Sequence, residues 1–270
     1  MADEHPESSN PEADNSRAWI SCVSGVAACA WDVSTGKRLK ASAPLPQPPC
    51  FVHYGGCPGD VGYERLSADA LGAKLGFEMI SSLIVLSPRY HRELPLYNLP
   101  EDAISEQSLP PAAGPSTEEL QRLIRQCVSN PDVYVAPDTH GGHGLFAAAP
   151  LPAYTYIGEY VGTLVSSTPH QGQDESHGSR GVEGEVDQYL MRYPDAAGRK
   201  YISGWRAGSL ARFANHSASG NPDCNSCMYV VLCDGSWHQI MLTTRAVCCR
   251  EELRHDYGPQ FWSGRVQCPC

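Results

Sequence analysis

The spacing of apolar positions changes near residue 130, from a helical repeat to short strands separated by turns. Leu120, Leu123, Ile124 and Cys127 share one face of a predicted short helix. Ser116 or Thr117 can cap it, Glu118 and Glu119 fill its first turn, and Asn130-Pro131 ends it. Downstream, Val133–Ala136 and Tyr156–Val165 read as strands, and Ser166–Glu185 as a long polar loop. Met228–Cys233 and Gln239–Thr243 flank Asp234-Gly235, which predicts a hairpin because such a turn needs positive φ. Upstream, Ala18–Val23 and Cys50–Tyr54 read as strands around a Pro-rich loop at 43–49. Ser67–Gly76 reads as a short helix running into apolar Phe77–Leu86. The expected organisation is a disordered acidic tail (1–16), an α/β N-terminal region of no assigned type (17–100) and a linker (101–115). A helix (116–132), a mainly β domain (133–263) and a short tail (264–270) follow.

Composition narrows the function classes. With 41% hydrophobic and 19% charged residues, a sizeable core can form. The formal charge of -10 argues against a broad nucleic-acid-binding surface and suits a basic protein partner. Met1–Ser16 lacks the basic start and apolar run of a signal peptide, and the apolar run near Met79–Leu86 is too short to span a bilayer. The expectation is a nuclear or cytoplasmic protein, neither secreted nor membrane-bound, whose 12 cysteines mostly serve as small buried hydrophobes.

Four stretches carry candidate chemistry. Gly141-Gly-His-Gly-Leu-Phe-Ala147 holds glycines that let backbone approach a ligand. Asp187-Gln-Tyr-Leu-Met191 reads as a strand, where Tyr189 is half-buried. Ile202–Phe213 leads into Arg212-Phe-Ala-Asn-His-Ser217, where two hydrogen-bonding side chains follow an aromatic. Glu251-Glu-Leu-Arg-His-Asp-Tyr-Gly258 places a phenol at a turn. In this order and with Tyr156-Ile-Gly-Glu-Tyr-Val-Gly162 between them, the stretches resemble the SET-domain protein lysine methyltransferases over about Val133–Trp262.

The resemblance implies a fold of small β-sheets whose C-terminal segment threads under the Asn-His loop as a pseudoknot, and S-adenosylmethionine as cofactor. It implies that Gly142, His143, Gly144, Leu145, Arg212, Phe213, Asn215, His216, Tyr257 and Trp262 surround the cofactor. Tyr257 is the implied catalytic residue, Tyr189 a wall of the lysine channel, and His255 the position that helps set how many methyl groups are added. A histone tail or other lysine-bearing basic segment is the implied substrate. A tyrosine hydroxyl can orient an amine without being charged, given a reference pKa near 10.

Several positions depart from the family pattern. His255 replaces a Phe or Tyr, Arg250 a glycine, and Ala218 the cysteine after Asn-His-Ser. Cys268 and Cys270 are two thiolates short of the family's four-thiolate zinc site, so zinc would need further ligands, for which Cys224 or Cys227 is a candidate. These departures support an alternative, a catalytically weak SET module that binds or scaffolds other proteins.

Overall fold

In a computed structural model, residues 51–85, 98–166 and 189–262 are described, together with the backbone of strands β1 (Arg17–Ile20), β2 (Cys29–Asp32) and β3 (Lys37–Arg38). Further strands are β4 (Val52–Tyr54), β5 (Glu64–Leu66), β6 (Glu78–Met79), β7 (Ile84–Val85), β8 (Val133–Pro137) and β9 (His143–Ala147). Then come β10 (Tyr156–Glu159), β11 (Thr163–Ser166), β12 (Leu190–Arg192), β13 (Lys200–Ser203), β14 (Ala207–Gly208) and β15 (Asn215–His216). The last are β16 (Ser226–Cys233), β17 (Ser236–Thr243) and β18 (Arg254–His255). Helix α1 (Ala68–Leu75) lies between β5 and β6, α2 (Thr117–Arg125) before β8, and α3 (Pro259–Trp262) after β18.

Local chemistry accounts for the regular elements. In α2 the Ser116 hydroxyl accepts the Glu119 N–H at 3.2 Å, and Leu120 and Ile124 are buried. In α1, Ser67 caps the start, and Gly76 at φ 73° closes the end in the left-handed region. The β16–β17 turn places Asp234 at φ 48° and Gly235 at φ 80°, the conformation that an Asp-Gly hairpin requires.

The sheets are small. They run β12-β13-β11-β7-β1-β2-β3, β5-β4-β8-β9, β10-β17-β16, β14-β6 and β15-β18. They also cross the boundary that composition draws at residue 101: β4 lies parallel to β8, β6 to β14, and β7 to β11. Residues 101–115, expected as a linker, contain two 3-10 turns. Ile104 of that stretch packs against the cluster of Tyr160, Tyr193, Ile202 and Trp237. The Trp237 indole donates to Leu99 O at 2.8 Å. The predicted acidic tail, most of the polar loop after Ser166 and the C-terminal tail lie outside the described residues.

Strand β17 is buried along its whole length because other elements cover both its faces. Ile240 and Leu242 point towards Leu120, Ile124 and Tyr229. Met241, facing the opposite way, joins Leu71, Val135, Leu145, Phe213 and Leu253 in the largest apolar cluster.

Candidate active site

Two segments distant in sequence lie side by side. β15 pairs in parallel with β18, Asn215 opposite Arg254 and His216 opposite His255. The stretch entering β18 also meets β9 on its other flank. Phe146 bridges Glu252, and the Leu253 N–H donates to Leu145 O at 2.7 Å. Residues 252–255 are therefore held between the glycine turn and the Asn-His strand.

Asn215 is the convergence point. Its Nδ2 donates to Glu252 Oε1 at 2.7 Å and Asp138 Oδ2 at 3.1 Å, with His143 O at 3.4 Å. Asp138 Oδ1 accepts the His140 and Gly142 N–H groups, each at 2.8 Å. Burial pushes the Asp138 carboxyl up, but these backbone donors and the Asn215 amide outweigh it and hold the carboxyl below its usual range. Glu252 Oε2 accepts the Arg254 guanidinium.

Gly144 is required by a close approach. A Cβ there would stand 2.6 Å from Glu252 Oε1 and 2.9 Å from the Phe146 ring. Any side chain would displace the carboxylate that orients Asn215. The neighbouring His143 ring lies 3.3 Å through Nε2 from the Tyr54 hydroxyl, and burial lowers its pKa. The Leu145 and Phe213 side chains are buried in the main core, so at Leu145 only backbone faces the turn.

Tyr257 sits across the crossing. Its N–H donates to His216 Nδ1 at 3.2 Å, and its hydroxyl donates to Ala214 O at 2.8 Å. The acceptor role leaves His216 Nδ1 without a proton. Burial raises the Tyr257 pKa, and the nearby Tyr189, Glu252 and Asp138 act in the same direction. The phenol is therefore neutral at pH 7. Phe261 meets the Tyr257 ring edge-on at 4.6 Å, His255 lies at 4.9 Å, and Trp262 stands 4.8 Å from His216. His255 is 3% exposed, and burial lowers its pKa to about 4. It is a neutral ring under the phenol, with Nδ1 placed 3.2 Å from Asp256 O to donate to it.

Arg212 and Tyr189 form a second layer. The Arg212 guanidinium donates to Gly204 O at 2.7 Å and Trp205 O at 3.2 Å. Its carbon lies 4.1 Å from the Tyr189 ring centroid and 4.4 Å from that of Phe77. The Tyr189 ring also meets Trp205 at 5.4 Å. Arg212 thus shapes the wall around Tyr189 and holds backbone rather than presenting a free charge.

Asn225 went unnoticed in the sequence, yet it ties the crossing together. It is fully buried, its Oδ1 accepts the Arg254 N–H, and its Nδ2 donates to Glu252 O at 2.7 Å and Glu251 Oε1 at 3.0 Å. Pro222-Asp-Cys-Asn225 reads as a polar turn, with no local signal of burial. Asp138 also escaped the sequence reading, although an Asp four residues before Gly142 is a fair Asx-turn signal.

The described residues contain no group of three or more His, Cys, Asp or Glu side chains able to hold a metal. Cys224 lies near Cys227 and directs its thiol at Ser226 O, while Cys268 and Cys270 fall outside the described residues. No helix among the described residues is long and apolar enough to cross a membrane.

The chain is 30% identical over 129 residues to the histone-lysine N-methyltransferase trithorax of Drosophila virilis, covering 48% of this chain and 3% of that protein. It is 29% identical over 157 residues to the H3 lysine-36 specific histone-lysine N-methyltransferase of Schizosaccharomyces pombe, covering 58% of this chain and 18% of the relative. The chain therefore spans a small part of these relatives. A crystal structure of ATXR5 in complex with histone H3.1 mono-methylated on R26 superposes with a TM-score of 0.49 at 15% identity, covering 81% of this chain and 97% of that one. The SET domain family model matches residues 142–258, from the glycine turn through Tyr257.

Proposed function

We propose that the chain is a protein-lysine N-methyltransferase that uses S-adenosylmethionine and acts on a histone tail or another basic protein segment. The observation that carries this reading is the parallel pairing of Asn215-His216 with Arg254-His255, which brings the glycine turn, the Asn215 amide and the Tyr257 hydroxyl into one site.

The residues fit the cofactor. Asp138 and Glu252 place two carboxylates around one amide, a setting that complements a sulfonium and an ammonium. Gly142 and Gly144 let the Asp138 and Glu252 carboxylates close in on the turn, where a Cβ would collide with them. The cofactor, when bound, supplies a methyl group on a positively charged sulfur. His143, Asn215 and His216 would hold it. Tyr257 orients the incoming amine through a neutral hydroxyl, and Phe261, Trp262 and Tyr189 exclude water from the channel. Desolvation and the nearby positive sulfur favour the neutral amine that displacement requires. The formal charge of -10 suits a basic substrate segment, and a nuclear location fits a histone substrate.

The deciding experiment measures labelled methyl transfer from S-adenosylmethionine to core histones and to a cell extract. Wild type is expected to label a discrete band, and Tyr257→Phe to lose about 100-fold or more in rate, as when one oriented hydroxyl is removed. Asn215→Ala is expected to lose cofactor binding. No transfer to any protein together with no cofactor binding would instead favour the binding-module reading.

A further inference from the structure

Cys57 and Cys249 meet outside the site. Their sulfurs stand 3.7 Å apart, and both thiols point at Ala148 O, at 3.6 Å and 3.3 Å. Cys57 is buried, whereas Cys249 is exposed. A second contact locks the same two loops together: Asp60 pairs with the Arg250 guanidinium and accepts the Cys57 N–H at 2.9 Å. Arg250 adopts φ 70°, a left-handed conformation unfavourable to a side chain, yet its N–H donates to Ala147 O at 2.7 Å. The facing loop is built on Gly55 at φ 78° and Gly59 at φ 99°.

The geometry points to Cys57 and Cys249 as a thiol–disulfide site that takes a small-molecule disulfide of the glutathione class and latches the Cys57 loop to the loop feeding Glu251 and Glu252 into the site. This inference does not depend on the chain being a methyltransferase. The exposure difference assigns the roles. The Cys249 thiolate attacks one sulfur of the small disulfide. A bond forms between Cys249 and that sulfur, the small disulfide bond breaks, and the released thiolate takes up a proton. The Cys57 thiol gives up its proton and attacks the Cys249 sulfur, and the second small thiol leaves. Two protein thiols are oxidised to one disulfide, and one small disulfide is reduced to two thiols.

The sulfurs must close from 3.7 Å to about 2.05 Å, a movement within reach of rotation of the exposed Cys249 side chain. Burial and the adjacent Cys249 raise the Cys57 pKa, while Arg250 lowers it, so the resolving step quickens with rising pH. The partners are distant in sequence, with Cys57 before α1 and Cys249 just after β17. The bond would therefore close most of the chain into one loop. Cys249 is three residues from Glu252, whose Oε1 accepts Asn215.

The test incubates the full chain with glutathione disulfide, traps free thiols by alkylation and maps the cysteines by peptide mass spectrometry. Cys248 is exposed beside Cys249 and serves as the internal control. The expected result is a Cys57–Cys249 cross-linked peptide in wild type, with slowed amide exchange over residues 250–255. Cys57→Ser should retain glutathione on Cys249, and Cys249→Ser should leave Cys57 unmodified. Stable glutathione on wild-type Cys249 with Cys57 free would overturn the proposal. A cross-link through Cys248, or two free thiols, would do the same, and a cross-link with unchanged exchange would overturn the latch.

Discussion

Asn225 and the Arg254 backbone bind one another twice: the Asn225 side-chain Oδ1 accepts the Arg254 N–H at 3.0 Å, and the Asn225 backbone N–H donates to Arg254 O at 3.1 Å. With the further bonds to Glu252 O and Glu251, this one buried amide joins the segment after the Asn-His strand to the segment that carries Tyr257.

Asn225→Ala is expected to be among the more damaging single substitutions. It leaves the Arg254 N–H and the Glu252 carbonyl without their partner, at about 1–3 kcal/mol for each buried group that water cannot reach. Asn225→Asp keeps the acceptor but turns a carboxylate towards Glu251. Both variants should lower the urea midpoint, the aspartate more at pH 8 than at pH 5. A loss below about 0.5 kcal/mol for the alanine variant, the scatter of ordinary surface substitutions, would show that the clamp is redundant.

His255 makes stability depend on pH. The ring is buried and its pKa falls from 6.5 to about 4, chiefly through burial, with His216 adding to the effect while the Asp256 carbonyl and carboxylate oppose it. Between those values the unfolded chain binds a proton that the folded chain does not, so stability rises with pH across the window and is lost as pH falls through it. The full contribution is on the order of 3 kcal/mol. Denaturation at pH 4.5, 5.5 and 7 should show a shallower slope for His255→Phe than for wild type. Equal slopes would place the titration elsewhere.

Arg212 predicts a contrast between two cations. The guanidinium stacks against Tyr189 and Phe77 while donating to two carbonyls, a fork that an ammonium cannot reproduce. Arg212→Lys should cost about 2 kcal/mol or more, because a buried cation is left with fewer partners. Near-UV circular dichroism should also change, since the Tyr189–Trp205 pair loses its support. A lysine variant with wild-type stability and spectrum would reduce Arg212 to a bystander.

Features set by nearby residues were readable from the sequence, and features set by distant ones were not. The α2 cap and the Asp234-Gly235 hairpin depend on chemistry within a few residues, so their sequence signals were direct. The Asn-His and Asp-Tyr-Gly stretches were readable because each retains an unusual run of residue types. The pairings of β6 with β14 and β7 with β11 were not, since strands of two to four residues carry too short a pattern to show a period. Leu145 and Arg212 were placed around the cofactor by resemblance. In the structure the Leu145 side chain packs into the core and the Arg212 guanidinium binds carbonyls, a division between backbone and side chain that motif spelling does not encode.

The two-sided seating of residues 252–255 has a consequence for the order of folding. A strand that lines up between β9 and β15 cannot dock until both flanks stand, and its partners lie far back along the chain. Closing such loops is entropically expensive before any contact rewards it. Most sheets can form while this stretch is still loose, whereas the arrangement around Asn215 and Tyr257 belongs to the final ordering step. A newly made chain should therefore acquire native-like strands before it acquires a site, and a pulse of mild denaturant should release that site first.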